Sequence, residues 1–199
     1  MTLNSPIVRS ALSPADMEAM DVNRDLVAAL GQAVQGEVRF DGYTRMLYST
    51  DASLYQIQPV GVVIPKRVED VVATVEIAAR HGVPVLPRGG GSSLAGQAVG
   101  AAIVLDFSKY MHEVVDVDVE ARRVTVEPGI NFAALNQQMA RHGLMIGPDP
   151  ASGNRATIGG SIGNNATGSH SILYGMMADN VHAVRTVLAD ASLAEFGPV

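Results

Sequence analysis

Glycine is concentrated in two short stretches of this chain. Twelve of its 20 glycines fall between residues 89 and 100 and between residues 147 and 175. Glycine loses more backbone entropy on folding than any other residue, so such a concentration needs a compensating role. One such role is anion binding, because several N–H groups can converge on one phosphate where no Cβ atoms intervene.

The first stretch, PRGGGSSLAGQ over residues 87–97, is the first glycine loop and follows a predicted strand. Its glycines and serines supply many donors in a short arc, which suits a pyrophosphate, and Arg88 is its one charged residue. It lacks the Gly-Lys-Ser/Thr of a Walker A loop and the GxGxxG of a Rossmann fingerprint. A flexible surface loop is the alternative interpretation, since isolated glycine motifs match by chance.

The second stretch, residues 147–168, is the second glycine segment. It consists nearly entirely of small residues, prolines and neutral amides, with Ile158 and Ile162 as its only large apolar side chains. A long Ω-like loop is the alternative interpretation here. Long structureless stretches inside compact domains are uncommon unless functional, which favours a ligand-binding role.

The rest of the pattern predicts a mixed α+β chain. Periodic apolar spacing predicts helices over 22–34, 68–81 and 131–142, strands over 60–65, 83–86, 101–107 and 181–189, and a hairpin over 112–127. Residues 1–21 are expected to form a loose leader and residues 36–58 an irregular polar connector. Asn131 is the expected N-cap of the third helix, whereas Arg67 is a poor cap for the second. Asp190-Ala191 stands where an Asp-Gly hairpin turn is expected.

Composition excludes several classes of function. A net charge of −6 without a cluster of basic residues argues against nucleic acid. The absence of cysteine removes disulfides, thiolate nucleophiles and cysteine-held zinc or iron–sulfur centres from these residues. The five histidines are scattered and predict no metal site, although His170 lies beside the second glycine segment. With no apolar signal core or membrane-length stretch, a soluble cytoplasmic protein is expected.

Taken together, PRGGGSSLAGQ, GPDP at 147–150 and ATIGG at 156–160 resemble the FAD-linked oxidases, which have the vanillyl-alcohol-oxidase or PCMH-type FAD-binding fold. The resemblance runs from about residue 36 to residue 196 and is strongest to members that include D-lactate dehydrogenase and glycolate oxidase subunits. The segments YSTD at 48–51 and SHS at 169–171 are also similar to bacterial fusions that pair this flavoprotein with an iron–sulfur module.

This resemblance implies an α+β architecture of two α+β lobes with FAD between them. A leader and helix would occupy 1–35, a first FAD-binding lobe with a small parallel sheet 36–110, and a second lobe with a mixed or antiparallel sheet 111–199. Family members continue into a substrate-binding cap domain, which is expected to be absent from these residues. The chain is therefore expected to bind FAD but to be catalytically incomplete, and no catalytic residue is assigned within it.

The resemblance also implies which residues bind the cofactor. Around the pyrophosphate these are Pro87, Arg88, Gly89, Gly90, Gly91, Ser92 and Ser93, with Gly96 and Gln97 closing the loop. Along the flavin, ribityl and phosphate side they are Pro148, Ser152, Ala156, Thr157, Gly159, Gly160, Ile162, Gly163, Asn164 and Gly168. Val181 would bond the adenine through its backbone. Ser92 stands where some members carry a flavin-linking histidine, so FAD is expected to be held non-covalently.

The implied function is that of a flavin-dependent dehydrogenase or oxidase that moves a hydride from a small 2-hydroxy acid to FAD. An iron–sulfur or other electron-accepting module is the expected downstream partner. Two alternatives stay open on the sequence. One is another enzyme of the same fold, of the alditol oxidase or UDP-sugar reductase type, and the other is a non-catalytic nucleotide-binding module.

Overall fold

The computed structural model describes residues 14–198, which form a mixed α/β structure with six helices and eight strands in that range. The helices are α1 (Pro14–Ala33), α2 (Gly42–Leu47), α3 (Val68–Arg80), α4 (Phe132–Met139), α5 (Ile158–Gly163) and α6 (Ser171–Tyr174). The strands are β1 (Glu37–Arg39), β2 (Gly61–Ile64), β3 (Val85–Arg88), β4 (Ile103–Asp106), β5 (Val114–Asp118), β6 (Arg123–Val126), β7 (Val184–Val187) and β8 (Leu193–Phe196). Two short 3-10 helices cover Ala140–His142 and Met177–Asn180.

The first four strands form one sheet in the order β1-β2-β4-β3. β4 is parallel to both β2 and β3, and β1 is antiparallel to β2. β2 and β4 are buried at every position, as expected of parallel strands covered on both faces. This parallel arrangement places the carboxyl ends of β3 and β4 side by side, so that Arg88 pairs in register with Asp106.

Helices α1 and α3 cover one face of this sheet. Leu26 and Leu30 of α1 and Ile77 of α3 pack with Ile103 and Leu105 of β4 in the first core cluster. Because these side chains are between 0% and 3% exposed, they lie fully within the core of this part of the molecule.

A buried carboxylate joins the end of α1 to the beginning of α3. Asp70 is 0% exposed and accepts the backbone N–H groups of Gln35 (2.9 Å), Gly36 (3.0 Å) and Lys66 (2.9 Å). Burial raises the pKa of Asp70, but the N–H groups of Lys66 and Gln35 and the Arg67 guanidinium outweigh burial and hold the pKa below its ordinary value. As expected, Arg67 caps no backbone group of α3, and Asp70 binds the chain there instead.

The second core cluster is built on α4. Ile130, Phe132, Leu135 and Met139 pack with Ile158 of α5. The predicted cap is confirmed, because the Asn131 side chain accepts the N–H of Ala134 at 3.1 Å. The predicted hairpin is confirmed as the antiparallel pair β5–β6.

Two expectations about local structure were wrong, and one alternative interpretation does not hold. The loose leader over 1–21 is helical from Pro14 onward, while residues 1–13 lie outside the described residues. The connector over 36–58 contains β1 and α2, and α2 begins where Asp41 accepts the N–H of Thr44 at 2.9 Å. The second glycine segment is not one irregular loop, since α5 forms within it.

Candidate functional site

The first glycine loop and the second glycine segment are in direct contact. A Cβ atom on Gly89 would lie 2.0 Å from Oγ1 of Thr157, and one on Gly90 would lie 2.0 Å from the carbonyl oxygen of Arg155. Neither position has room for a side chain, so the backbone of one segment lies against the other. Gly90 and Arg155 are 65 positions apart, so the structure brings together two predicted segments that are distant along the chain.

The first glycine loop begins at the carboxyl end of β3 and folds back on itself. Gly91 and Gly96 have φ values of +62° and +78°, in the left-handed region that favours glycine. The Ser93 hydroxyl accepts the N–H groups of Ala95 (3.3 Å) and Gln97 (3.2 Å) and bonds the Gln97 side chain. Ser93 therefore closes the loop from inside.

The middle of this loop presents a run of uncommitted backbone donors. Six consecutive N–H groups donate no hydrogen bond to any residue between 14 and 198. They belong to Gly89, Gly90, Gly91, Ser92, Ser93 and Leu94. Backbone donors that the fold leaves unpaired require water or a ligand, so this arc is suited to an anion with several oxygen atoms.

The beginning of α5 is different, because its donors are committed to the fold. The N–H of Ile158 bonds the carbonyl of Ile130 at 2.9 Å, and the N–H of Gly159 bonds the carbonyl of Pro128 at 2.8 Å. The N–H of Gly160 bonds the Thr157 hydroxyl, which caps the helix at 3.3 Å. This part of the second glycine segment therefore supplies a surface of small residues rather than free donors.

That surface is closely packed on its protein side. A Cβ on Gly159 would lie 2.8 Å from Cβ of Pro128, whereas nothing lies within 4 Å of one on Gly163. Ile162 and Val181 are partly buried against the second core cluster. Ser161 is 2% exposed, and its hydroxyl has no hydrogen-bond partner within the described part of the chain.

The beginning of the second glycine segment forms a turn around Asp149. A Cβ on Gly168 would lie 1.9 Å from the Asp149 carbonyl oxygen, and Asp149 itself has a φ of +51°. The Ser169 hydroxyl donates to Asp149 Oδ2 at 2.7 Å, and His170 Nδ1 lies 3.7 Å from the same oxygen. His170 is half exposed in this turn.

The remaining predicted residues do not lie in the Gly89–Thr157 contact. Pro148 and Ser152 lie in the turn before α5, and Gly168 packs against that turn. Gly163 and Asn164 lie at the exposed end of α5, and Val181 directly follows the second 3-10 helix. Ala156 is buried beside Thr157, and its carbonyl accepts the N–H of Phe132 at 2.9 Å.

A segment that the sequence gave no reason to prefer supports the first glycine loop. Residues 48–52 lie beneath it, since the N–H of Ala52 bonds the Gly91 carbonyl at 3.0 Å and the Asp51 carboxylate accepts the N–H of Ala98 at 3.3 Å. The pattern YSTD lies in the stretch that was expected to be an irregular polar connector. The structure shows hydrogen bonds to the loop itself.

A cavity of about 470 Å³ opens next to the second glycine segment. Its lining includes Gly147, Tyr174, Asn180, Met139 and Leu144. No residue of the first glycine loop borders this cavity, so it is distinct from the contact between the two glycine segments.

Comparison with known proteins identifies relatives along most of the chain. The family model described as "FAD binding domain" matches residues 59–197. The chain is 34% identical over 171 residues to D-2-hydroxyglutarate dehydrogenase of Escherichia coli (strain K12), covering 84% of this chain and 17% of that protein. It is 33% identical over 181 residues to glycolate oxidase subunit GlcD of Bacillus subtilis (strain 168), covering 88% and 38% respectively. The chain thus spans well under half the length of these relatives.

The fold also matches a solved structure of alkyldihydroxyacetonephosphate synthase. The TM-score is 0.79 at 24% identity, over 87% of this chain and 38% of that one. This likeness concerns the fold alone. Among residues 14–198, no helix is both long enough and apolar enough to cross a membrane.

Proposed function

The chain belongs to the FAD binding domain family and has the PCMH-type FAD-binding fold, and from that premise we propose that it binds FAD where its two glycine segments meet and serves an enzyme that oxidises 2-hydroxy acids. The observation that carries this proposal is the arc of six unpaired N–H groups over residues 89–94, which lies against a segment of small residues. The match to the family spans both glycine segments.

The arc fits a diphosphate by its chemistry. A diphosphate presents several acceptor oxygens, and converging main-chain donors can satisfy them without a side-chain cation. In this proposal the residues at 87–93, with Gly96 and Gln97, surround the pyrophosphate. Bulkier residues at Gly89 and Gly90 would clash with Thr157 and Arg155 and would separate the two segments.

The second glycine segment then orients the rest of the cofactor. The proposed contacts with the flavin, ribityl and phosphate side are Pro148, Ser152, Ala156, Thr157, Gly159, Gly160, Ile162, Gly163, Asn164 and Gly168. Val181 would bond the adenine through its backbone. A surface of glycine and alanine allows a flat ring system to approach the main chain, which excludes water from that face of the ring.

Non-covalent attachment is part of the proposal. Ser92 occupies the position where some FAD-linked oxidases carry a histidine that is covalently bonded to the flavin. Serine has no imidazole and cannot form that bond. Acid precipitation of the FAD-loaded protein should therefore release all of the flavin into the supernatant. Flavin that stays with the precipitated protein would contradict this part.

The substrate class is proposed from the relatives. D-2-hydroxyglutarate and glycolate, which the names of two relatives contain, are both 2-hydroxy acids. FAD supplies the hydride-accepting ring when bound, and the protein supplies its position. The relatives extend well beyond the part that this chain covers, and the groups that bind the substrate carboxylate are proposed to lie in that remaining part.

The electron acceptor is proposed to be an iron–sulfur or other redox module of the same enzyme. The chain has no cysteine, so thiolates that hold a cluster would have to come from another segment or subunit. Electron paramagnetic resonance of the full-length enzyme, reduced with its substrate, would detect a reduced cluster. A spectrum with flavin signals alone would exclude an iron–sulfur cluster as the acceptor.

Binding of FAD is tested first. The purified chain is titrated with FAD while flavin fluorescence is recorded, and saturation at one FAD per chain is expected. Gly31→Ala, at an exposed position of α1 with open space around it, serves as a control that should bind equally well. A folded chain that leaves FAD fluorescence unchanged would refute the proposal.

The substrate class is tested on the full-length enzyme. Anaerobic addition of D-2-hydroxyglutarate, D-lactate or glycolate should bleach the flavin absorbance, whereas sugar alcohols should not. Bleaching by sugar alcohols alone would assign the domain to a different oxidase.

A further inference from the structure

Arg88 is the one charged residue of the first glycine loop, and its guanidinium is bonded to the protein. Nη1 donates to the carbonyl oxygen of Ala98 at 2.8 Å and of Tyr48 at 3.4 Å, and Nη2 donates to that of Thr50 at 2.8 Å. Arg88 forms no ion pair with a carboxylate among the described residues. The guanidinium thus joins Arg88, at the beginning of the loop, to Ala98 just after its end and to the segment 48–52 below it.

Tyr48 fixes the guanidinium from a second direction. The Arg88 Cζ atom lies 5.3 Å from the centroid of the Tyr48 ring, in a cation–π arrangement. The Tyr48 hydroxyl donates to Asp106 Oδ2 at 2.5 Å, and the other carboxylate oxygen of Asp106 accepts the N–H of Ser108 at 2.8 Å. Burial, followed by the hydrogen bond to Asp106, raises the pKa of Tyr48, so the hydroxyl stays protonated as the donor.

These contacts form one network at the carboxyl ends of β3 and β4. Arg88 and Asp106 are partners in the register of these strands, and Tyr48 bridges them with its ring and its hydroxyl. Two further bonds, from Ala52 N–H to the Gly91 carbonyl and from Ala98 N–H to Asp51, hold the same segment under the loop.

We propose that Arg88 is a positioning residue that holds the first glycine loop open for a diphosphate, and that it does not neutralise the phosphate charge. The proposal rests on the proposed FAD site and deepens it. Three bonds to carbonyl oxygens fix the guanidinium, so the diphosphate is met by the unpaired N–H groups of residues 89–94. A loop with left-handed residues at Gly91 and Gly96 has many alternative conformations when it is not held at both ends.

A substitution at Arg88 can distinguish a positioning role from neutralisation of the phosphate charge. Arginine presents several donors in a rigid plane and stacks on aromatic rings, whereas lysine is a point charge that can bond only one or two of the three carbonyls. Arg88→Lys therefore keeps the positive charge and removes the planar set of donors. Arg88→Gln removes both. If Arg88 positions the loop, the two variants should weaken FAD binding by similar factors, at least tenfold.

The experiment measures four chains in parallel: the unaltered protein, Arg88→Lys, Arg88→Gln and Tyr48→Phe. Tyr48→Phe keeps the ring and loses only the hydroxyl that reaches Asp106, so it provides a milder change that tests the same network. Amide hydrogen exchange of residues 89–98 is recorded without FAD, and the FAD dissociation constant is measured at several salt concentrations. Arg80→Gln, which changes an exposed arginine at the end of α3, outside both glycine segments and with none of these bonds, is the matched control.

The expected result is faster exchange of residues 89–98 in both Arg88 variants and, to a smaller extent, in Tyr48→Phe, with an unchanged salt dependence of FAD binding. Full rescue by Arg88→Lys, or a flatter salt dependence in Arg88→Gln alone, would show that Arg88 acts as a charge on the phosphate and would overturn the proposal. Unaltered exchange in the apo variants would overturn it as well.

The proposed function fails separately. If the unaltered protein does not bind FAD, the FAD site is refuted, but hydrogen exchange in the apo chains still reports whether Arg88 holds the loop.

Discussion

At the scale of single residues, the site depends on where side chains are missing. Gly89 and Gly90 allow the first glycine loop to lie against the carbonyl of Arg155 and the side chain of Thr157. A glycine in a free surface loop can be replaced at little cost, but a glycine at a backbone-to-backbone contact cannot. The contact at Gly90 tolerates a side chain less well than the contact at Gly89, because its neighbour is a main-chain carbonyl that cannot rotate away.

We predict that Gly90→Ala separates the two glycine segments. The new Cβ would lie 2.0 Å from the Arg155 carbonyl oxygen, so the backbone has to shift. Such overpacking costs about 1–3 kcal/mol of folding free energy. FAD affinity should fall together with the urea midpoint.

The control for this prediction is Gly31→Ala, which gains helix propensity of about 1 kcal/mol in α1 and meets no neighbour. Gly90→Ala with unchanged stability and FAD affinity would mean that the two segments are not held in contact in solution.

The next prediction concerns Glu37, a residue outside the proposed site. Hydrogen bonds from Lys109, Tyr110 and Arg39 lower the pKa of Glu37 from 4.5 to about 2. A carboxyl group whose pKa is lowered by folding stabilises the protein above its unfolded pKa, and that stability is lost as the pH falls through the folded pKa. The advantage of the unaltered protein over Glu37→Gln should therefore be complete above about pH 4.5 and disappear near pH 2.

Lys109 and Arg39 are about half exposed, so solvent screens these interactions, and a difference of about 1 kcal/mol is expected. Urea unfolding of both proteins between pH 2 and pH 7 measures it. A stability difference that is constant over this range would show that Glu37 does not gain its partners on folding.

The sequence identified the residues of the first glycine loop but not the role of each. Arg88 was assigned to the pyrophosphate because of its place in the motif, and its described bonds go to the carbonyls of Tyr48, Thr50 and Ala98. Two of these acceptors lie 38 and 40 residues away along the chain. Every residue carries a carbonyl group, so no sequence pattern marks a carbonyl as the partner of a particular arginine.

At the scale of elements, the buried strands were the most predictable. β2 and β4 read as short apolar runs and are buried at every position. The six-residue helices α2 and α5 were missed, because they are too short to show apolar periodicity. Each begins at a side chain that caps it, Asp41 in α2 and Thr157 in α5. A capping residue alone is common in loops, and α5 contains three glycines that disfavour a helix on propensity.

The β7–β8 hairpin yields a prediction at this scale. The sequence placed Asp190-Ala191 where an Asp-Gly turn was expected, and the hairpin forms with Ala191 at φ +65°. An alanine in the left-handed region is strained by about 1 kcal/mol, which glycine relieves at some cost in unfolded-state entropy. Ala191→Gly should therefore stabilise the protein by about 0.5 kcal/mol, measured as a higher urea midpoint.

A matched control lies two residues earlier. Ala189 is in the same turn but does not have positive φ, so Ala189→Gly incurs the entropy cost without relief of strain. It should destabilise the protein by up to about 1 kcal/mol. Equal effects of the two substitutions would show that Ala191 is not strained in solution.

At the scale of the whole molecule, the described residues contain a first core around α1, α3 and the four-stranded sheet and a second core around α4 and α5. The boundary between the two expected FAD-binding lobes, near residue 110, stays a prediction. Val187 of β7 packs against the first core although it follows the second in sequence. Such a return of the chain could not be anticipated from local patterns, because Val181–Ala189 reads as a strand without indicating its neighbours.

The contact of the first glycine loop with Arg155 and Thr157 joins elements of both cores, which leads to a prediction about the effect of FAD. A ligand that contacts both glycine segments is bound only while both are in place, so its binding free energy opposes the opening of either core. At a free FAD concentration 100 times the dissociation constant, the folded state is stabilised by about 2.7 kcal/mol.

Amide hydrogen exchange measures this effect in each core. FAD should slow exchange in α3, from the first core, and in α4, from the second, by factors similar to each other. Riboflavin, which lacks the diphosphate, should leave residues 89–94 as exchangeable as in the apo protein. If FAD protected α4 but not α3, the cofactor would be bound by the second glycine segment alone, and the unpaired N–H groups of the first glycine loop would need another explanation.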